Sequence, residues 1–173
     1  TAENHLSDAT IVEGQTLVSA SSQAFTVGSG PVAISTKTVT SGAGPAQITA
    51  APTTGDIRIR IPASFNMTWD TTDTAAVITG SAAAKVSPTV TYEDAGKTLV
   101  IDVIANFANN EFIDVSGLSY TSFTAVSPAD TLELEIHNDG AVNATDIRTI
   151  TILLPGPYTF VVMALLIAIL GAT

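Results

Sequence analysis

The chain contains 2 histidines, His5 and His137. Nucleophilic hydrolysis needs a nucleophile, a base and an orienting group in one place. His5 lies in a weakly hydrophobic start, His137 opens a turn, and no Gly-x-Ser-x-Gly elbow occurs. The carboxylate pairs Asp70/Asp73, Glu93/Asp94 and Glu133/Glu135 have the residue types of a glycosidase. They fall in turns or on the outward face of a strand, where solvated surface is the simpler reading. Asn138, Asp139, Gly140, Asn143 and Asp146 carry oxygen ligands suited to calcium, but lack the alternation and closing Glu of an EF-hand. An Asn-Asp-Gly hairpin turn accounts for the same residues. The chain has no cysteine, which removes thiolate zinc, disulfides and a Cys nucleophile. These residues describe a protein that is not an enzyme and that uses neither metal nor cofactor.

Modification chemistry has more material. Two sequons place candidate glycan acceptors at Asn66 and Asn143, although such triplets arise by chance in a Thr-rich chain. An intramolecular lysine–asparagine isopeptide bond would draw on Lys37, Lys85 or Lys97, with no motif marking any of them. The formal net charge is −10, with Lys and Arg together numbering 6. That balance argues against nucleic acid and against an anionic membrane surface.

The elements that must carry these residues are short strands. Only 13% of residues are charged and 6% aromatic, while 46% are hydrophobic, so Thr, Ser, Ala, Val and Ile dominate. This is the make-up of a sheet with a hydroxylated outer face. Strands are predicted at residues 32–40, 46–50, 56–61, 65–69, 75–79, 85–92, 97–104, 111–115, 118–123, 131–136 and 148–154, separated by turn signals. In the segment 56–61, Ile57, Ile59 and Ile61 share one face, with Arg58 and Arg60 on the other. In 131–136, Leu132, Leu134 and Ile136 face inward and Glu133 and Glu135 outward. These glutamates are natural cross-strand partners for the two arginines. Residues 93–96 predict a hairpin turn, and Pro88 demotes its strand to an edge or a bulge. No helical run intervenes, so the fold class is all-β, an Ig-like β-sandwich.

Both ends depart from this pattern. Residues 1–29 form an N-terminal extension with two alternating pieces, and residues 28–31 (Gly-Ser-Gly-Pro) then break the chain. Ile11, Val12, Leu17, Val18, Phe25 and Val27 are the apolar positions of a candidate donor strand. A sandwich that lacks one strand exposes an edge, and a strand from another subunit heals it. Residues 30–154 make the sandwich. Residues 155–173 make an apolar C-terminal helix, in which Tyr158, Phe160, Val161, Val162, Met163, Leu165, Leu166, Ile167, Ile169 and Leu170 leave no polar face. The uncharged run 158–172 reaches about 22 Å as a helix, short of a bilayer core of about 30 Å. Burial among copies of the same chain fits it better than a span, with transient membrane contact before assembly. The start at Thr1, with no basic or apolar leader, reads as a mature exported chain.

Four motifs, AQITA at 46–50, DIRIRIP at 56–62, FNMTWD at 65–70 and NDGA at 138–141, resemble a group of bacterial surface domains. They are also similar to subunits of environmental bacterial fibrils whose N-terminal strand completes an Ig-like domain of another protomer. The resemblance covers residues 30 to 154 and implies an extracellular, pilus-like homopolymer. The reading is therefore a structural fibre subunit polymerising by donor-strand exchange. The alternatives are a membrane-anchored surface or adhesion domain, and a secreted carbohydrate-binding sandwich using Trp69, Tyr92 and Tyr120 as stacking platforms.

Overall fold

The computed structural model describes residues 14–50 and 55–156. In chain order the strands are β1 (Thr16–Ser19), β2 (Gln23–Thr26), β3 (Val32–Ala33), β4 (Lys37–Thr40), β5 (Asp56–Arg60), β6 (Thr68–Trp69) and β7 (Val77–Thr79). They continue as β8 (Thr91–Glu93), β9 (Thr98–Asp102), β10 (Phe112–Ser116), β11 (Ser119–Thr121), β12 (Ser127–Ile136) and β13 (Ala144–Leu153). The described residues are all-β apart from 3-10 turns at Gly44–Ala46, Ala83–Lys85 and Asp94–Gly96.

One layer holds a sheet in the order β1-β4-β10-β7, extended by a small sheet β3-β11-β6. Chain continuity joins the two, since β3 leads into β4 and β10 into β11. The other layer is a six-stranded sheet in the order β2-β13-β12-β5-β9-β8. Alternating residues of both layers meet between them in one core, including Leu17, Val39, Ile57, Ile59, Trp69, Ile113, Tyr120, Leu134 and Ile152. This is the β-sandwich that the strand pattern predicts.

The alternation at 56–61 translates directly into packing, because Ile57, Ile59 and Ile61 are buried. On the opposite face, β5 and β12 pair in the register Glu133↔Arg60 and Glu135↔Arg58. The expected partners therefore sit directly across from each other. Glu135, expected to face water, is buried (4% exposed), as is Arg58 (3%). Neighbouring side chains and the next loop cover them. Arg58 meets Glu93 at 2.5 Å, Glu135 at 3.6 Å and Asp56 at 3.7 Å. Glu135 also accepts a bond from the Gly140 N–H at 2.7 Å, as the turn after β12 folds back over it.

Two further expectations change on folding. Residues 47–50 are not a strand. Two of their N–H groups bond to side chains instead, with Ser41 Oγ accepting from Ile48 N at 3.0 Å and Asn106 Oδ1 from Ala50 N at 2.8 Å, while Ile48 O accepts from Phe107 N at 2.9 Å. Ile48 is still fully buried, so its apolar side chain is used without a ladder. The predicted strand 85–92 shortens to β8, because Lys85 closes a 3-10 turn and Pro88 has no N–H to donate. The β8–β9 hairpin forms where expected, with Asp94 and Ala95 at positive φ (53° and 54°).

Candidate functional site

The N-terminal segment crosses from one layer to the other, and the geometry of that crossing defines the site. β1 lies antiparallel to β4 with Leu17 opposite Val39 and Ser19 opposite Lys37. Residues 20–22 then pass over the end of the sandwich. β2 runs parallel to β13, with Phe25 opposite Ile152, the one parallel pairing among the described strands. A segment of this length seals the gap between the two sheets on one side of the molecule.

Two side chains anchor it. Leu17 (1% exposed) and Phe25 (4%) point into the core. The Phe25 ring stacks on Phe123 with centroids 4.8 Å apart and meets Tyr120 edge-on at 5.6 Å. Tyr120 in turn lies against Trp69 at 4.6 Å. Full burial of a Leu or Phe side chain contributes about 1.5–3 kcal/mol, and a well-placed aromatic pair adds about 0.5–1.5. Polar contacts secure the crossing. Gln23 behaves like a short extra strand, its Nε2 donating to Ala33 O at 3.0 Å and its Oε1 accepting from Ser35 N at 2.8 Å. Thr149 N donates to Ser22 Oγ at 3.1 Å. Val27 N donates to Leu153 O, and Gly28 N to Phe123 O, both at 2.9 Å.

Of the candidate donor positions, Leu17, Val18, Phe25 and Val27 thus belong to this closing segment, and in the single chain they complete its own sandwich. Val18 and Val27 are half-buried. Ile11 and Val12 lie outside the described residues, as do all the assembly-helix positions from Tyr158 to Leu170. Among the described residues no helix is long and apolar enough to cross a membrane.

The other candidates separate cleanly. Asn66 is half-buried and donates through Nδ2 to Val126 O at 3.1 Å and Ser127 Oγ at 3.0 Å, bonds that a glycan would have to displace. Asn143 is exposed, and its Oδ1 accepts from Ile136 N at 2.7 Å. The loosely calcium-like residues do not converge, because Asp139 accepts from Ala141 N while Asp146 turns into the core. Among the described residues no group of three acidic or histidine side chains is arranged to hold a metal ion. Trp69 and Tyr120 have none of their surface exposed, so neither ring is open to a sugar. Tyr92 donates its hydroxyl to Asp73 O and lines an open groove with Thr71, Thr74 and Val90. Burial, then Asp73 and Asp70, raise its pKa to about 12.

The sequence reading missed a buried polar cluster beneath the crossing. Asp146 (3% exposed) accepts from the Ser19 hydroxyl, from Ser19 N at 2.9 Å and from Arg148 N at 3.0 Å. Lys37 is fully buried, and its Nζ bonds Ser35 Oγ at 3.0 Å. Burial pushes its pKa down to about 8, against the opposing attraction of Asp146. The signal was present in the pattern, since Val39 faces inward and alternation carries Lys37, two residues earlier, to the same face.

No family model matches the chain, and no curated protein is similar to it in sequence.

Proposed function

We propose that this chain is the structural subunit of an extracellular bacterial fibre, and that copies join by exchanging the closing segment formed by β1 and β2. The supporting observation is the construction of that segment. It spans both layers, inserts Phe25 as an anchor, and connects to the body through Gly28, Ser29, Gly30 and Pro31. A segment that seals its own chain with these contacts seals an identical chain with the same contacts, so exchange alters connectivity without loss of burial. The apolar run 158–172 packs against other copies in this reading, after transient contact with a membrane.

Because the chain has no cysteine, disulfides can report the exchange. Ala24 and Thr151 are partners across the β2–β13 pair, and a chain carrying both Ala24→Cys and Thr151→Cys can be oxidised in its native state. Ladders of covalently linked subunits on a non-reducing gel, with filaments by electron microscopy, are expected. Exclusively intrachain bonds, in monodisperse protein at high concentration, would defeat the proposal and leave a self-closed surface domain held by its apolar tail.

A further inference from the structure

Exposed aliphatic side chains gather along the outer face of β13, close to where the described chain ends at Gly156. Ile150 and Ile152 are buried in the core, so alternation turns Thr149, Thr151 and Leu153 outward. The register sets Thr26 of β2 on one side of Leu153. On the other side stands Val126, the residue before Ser127, which itself pairs with Ile152. Leu153 is 51% exposed, Leu154 68% and Val126 47%, and Ile147 adds a fourth large apolar side chain at 70%. Ala24, opposite Thr151 on β2, is exposed as well. None of these residues is charged. Single apolar side chains at a surface need no explanation, but a contiguous uncharged row marks a contact.

We propose that this outer face is the seat of the chain's own apolar run, residues 158–172, doubled back over β13. Reach is the first reason for this occupant. The run begins just beyond Gly156, beside Leu153 and Leu154, and so short a tether makes it the most concentrated partner available to the face. Pro155, Gly156 and Pro157 supply the change of direction. Size is the second reason. β13 extends about 20 Å from Ile147 to Leu153, and the run reaches about 22 Å as a helix. Charge is the third, because face and run are both uncharged in a chain whose net charge is −10. Their contact removes apolar surface from water on both sides without burying a charge. The run is apolar all round, so seating one side of it leaves the others for neighbouring copies. The seat does not depend on strand exchange, since β13 and the run belong to one chain whichever copy supplies β2.

Hydroxyl-radical footprinting of the full wild-type chain in detergent-free buffer tests whether the face is covered. Val77 (55% exposed) and Ile104 (58%) are internal references of similar exposure elsewhere on the body. Leu153, Leu154 and Val126 are expected to oxidise several-fold more slowly than these two, once the intrinsic reactivity of each residue type is divided out. Equal rates leave the face bare and overturn the proposal on the wild-type protein, whatever a variant does. Cross-linking then identifies the cover. Thr151→Cys with Met163→Cys, and at the far end Ile147→Cys with Leu170→Cys, each supply two thiols to a chain that has no others. Unlabelled and nitrogen-15-labelled forms of each double variant are combined in urea, refolded together and joined with a short bis-maleimide. Linked peptides of uniform isotope content are expected at both pairs. Pairs that mix the isotopes assign the face to another copy's run and overturn the proposal, as does protection with no uniform linkage at either pair. Loss of strand exchange changes none of these readings, because no cysteine lies in β1 or β2.

Discussion

Replacing Phe25 by Ala strikes the anchor of the closing segment, and its cost follows from the packing. The side chain is 4% exposed and is shared between a stacked contact to Phe123 and an edge contact to Tyr120. Truncating a buried Phe to Ala costs about 3–5 kcal/mol when the surroundings relax only in part. The facing groups are rings of the body, which cannot follow the lost side chain far. Against a typical total of about 5–15 kcal/mol this is a large fraction, and it lowers Tm by roughly 6–20 °C at about 2–4 °C per kcal/mol. Urea titration gives the free energy, and Thr26→Ala, an exposed neighbour on the same strand, serves as the reference. That reference is expected to shift stability by no more than about 0.5 kcal/mol. Hydrogen exchange adds the location of the damage. β2 is an outermost strand, so the N–H groups of Val27 and Gly28, bonded to Leu153 and Phe123, lose protection before the core strands β5 and β9. If Phe25→Ala and Thr26→Ala have the same urea midpoint, β2 does not seal the sandwich in solution, and the reasoning about exchange falls with it.

Arg58→Ala removes one of the two guanidinium groups beside buried Glu135, leaving it to Arg60 at 3.2 Å, and should cost up to about 3 kcal/mol, whereas Arg58→Met with Glu135→Gln should recover most of it. A thermal-melt comparison of the single and double variants checks this, and equal losses would refute the pairing. Asp146→Ala removes the carboxylate that opposes the fall in the Lys37 pKa. The folded chain then releases the Lys37 proton below pH 8, while the unfolded chain holds it until about 10.4. The unfolded state binds more protons in between, so stability rises with pH, by about 2 kcal/mol from pH 8 to 9.5. Urea midpoints across that range should rise more steeply in Asp146→Ala than in Asp146→Ala with Lys37→Met, and parallel profiles would count against a buried amine. Gly80 sits at φ +103° with Phe112 O only 2.6 Å from where a Cβ would stand. Gly80→Ala should therefore cost about 1–3 kcal/mol in a urea titration, and a neutral result would show that β7 and β10 shift apart freely.

Much of the body was legible because side-chain alternation is local. The isoleucines at 57, 59 and 61, the turn at 93–96 and the break at Pro88 each follow from a few consecutive residues. The pairing of Arg58 and Arg60 with Glu135 and Glu133 was also legible, since two strands with complementary outer faces favour one register. Residues 46–50 were misread because a side-chain oxygen can replace a strand partner, and Ser41 and Asn106 do so from elsewhere in the chain. Trp69 and Tyr120 read more simply as core than as stacking platforms, and the structure buries both, with Phe25 closing over Tyr120.

The sequence by itself determined an all-β sandwich, the inward face of most strands and an N-terminal segment with strand character. The tertiary structure decided that this segment changes layers, that Glu135 is covered, and that Lys37 and Asp146 are both buried beneath the crossing. The physical reason is distance along the chain. Alternation of period 2 tells which way each side chain points, but not which strand lies opposite. That choice belongs to contacts such as Ser19 with Asp146, whose residues stand 127 positions apart.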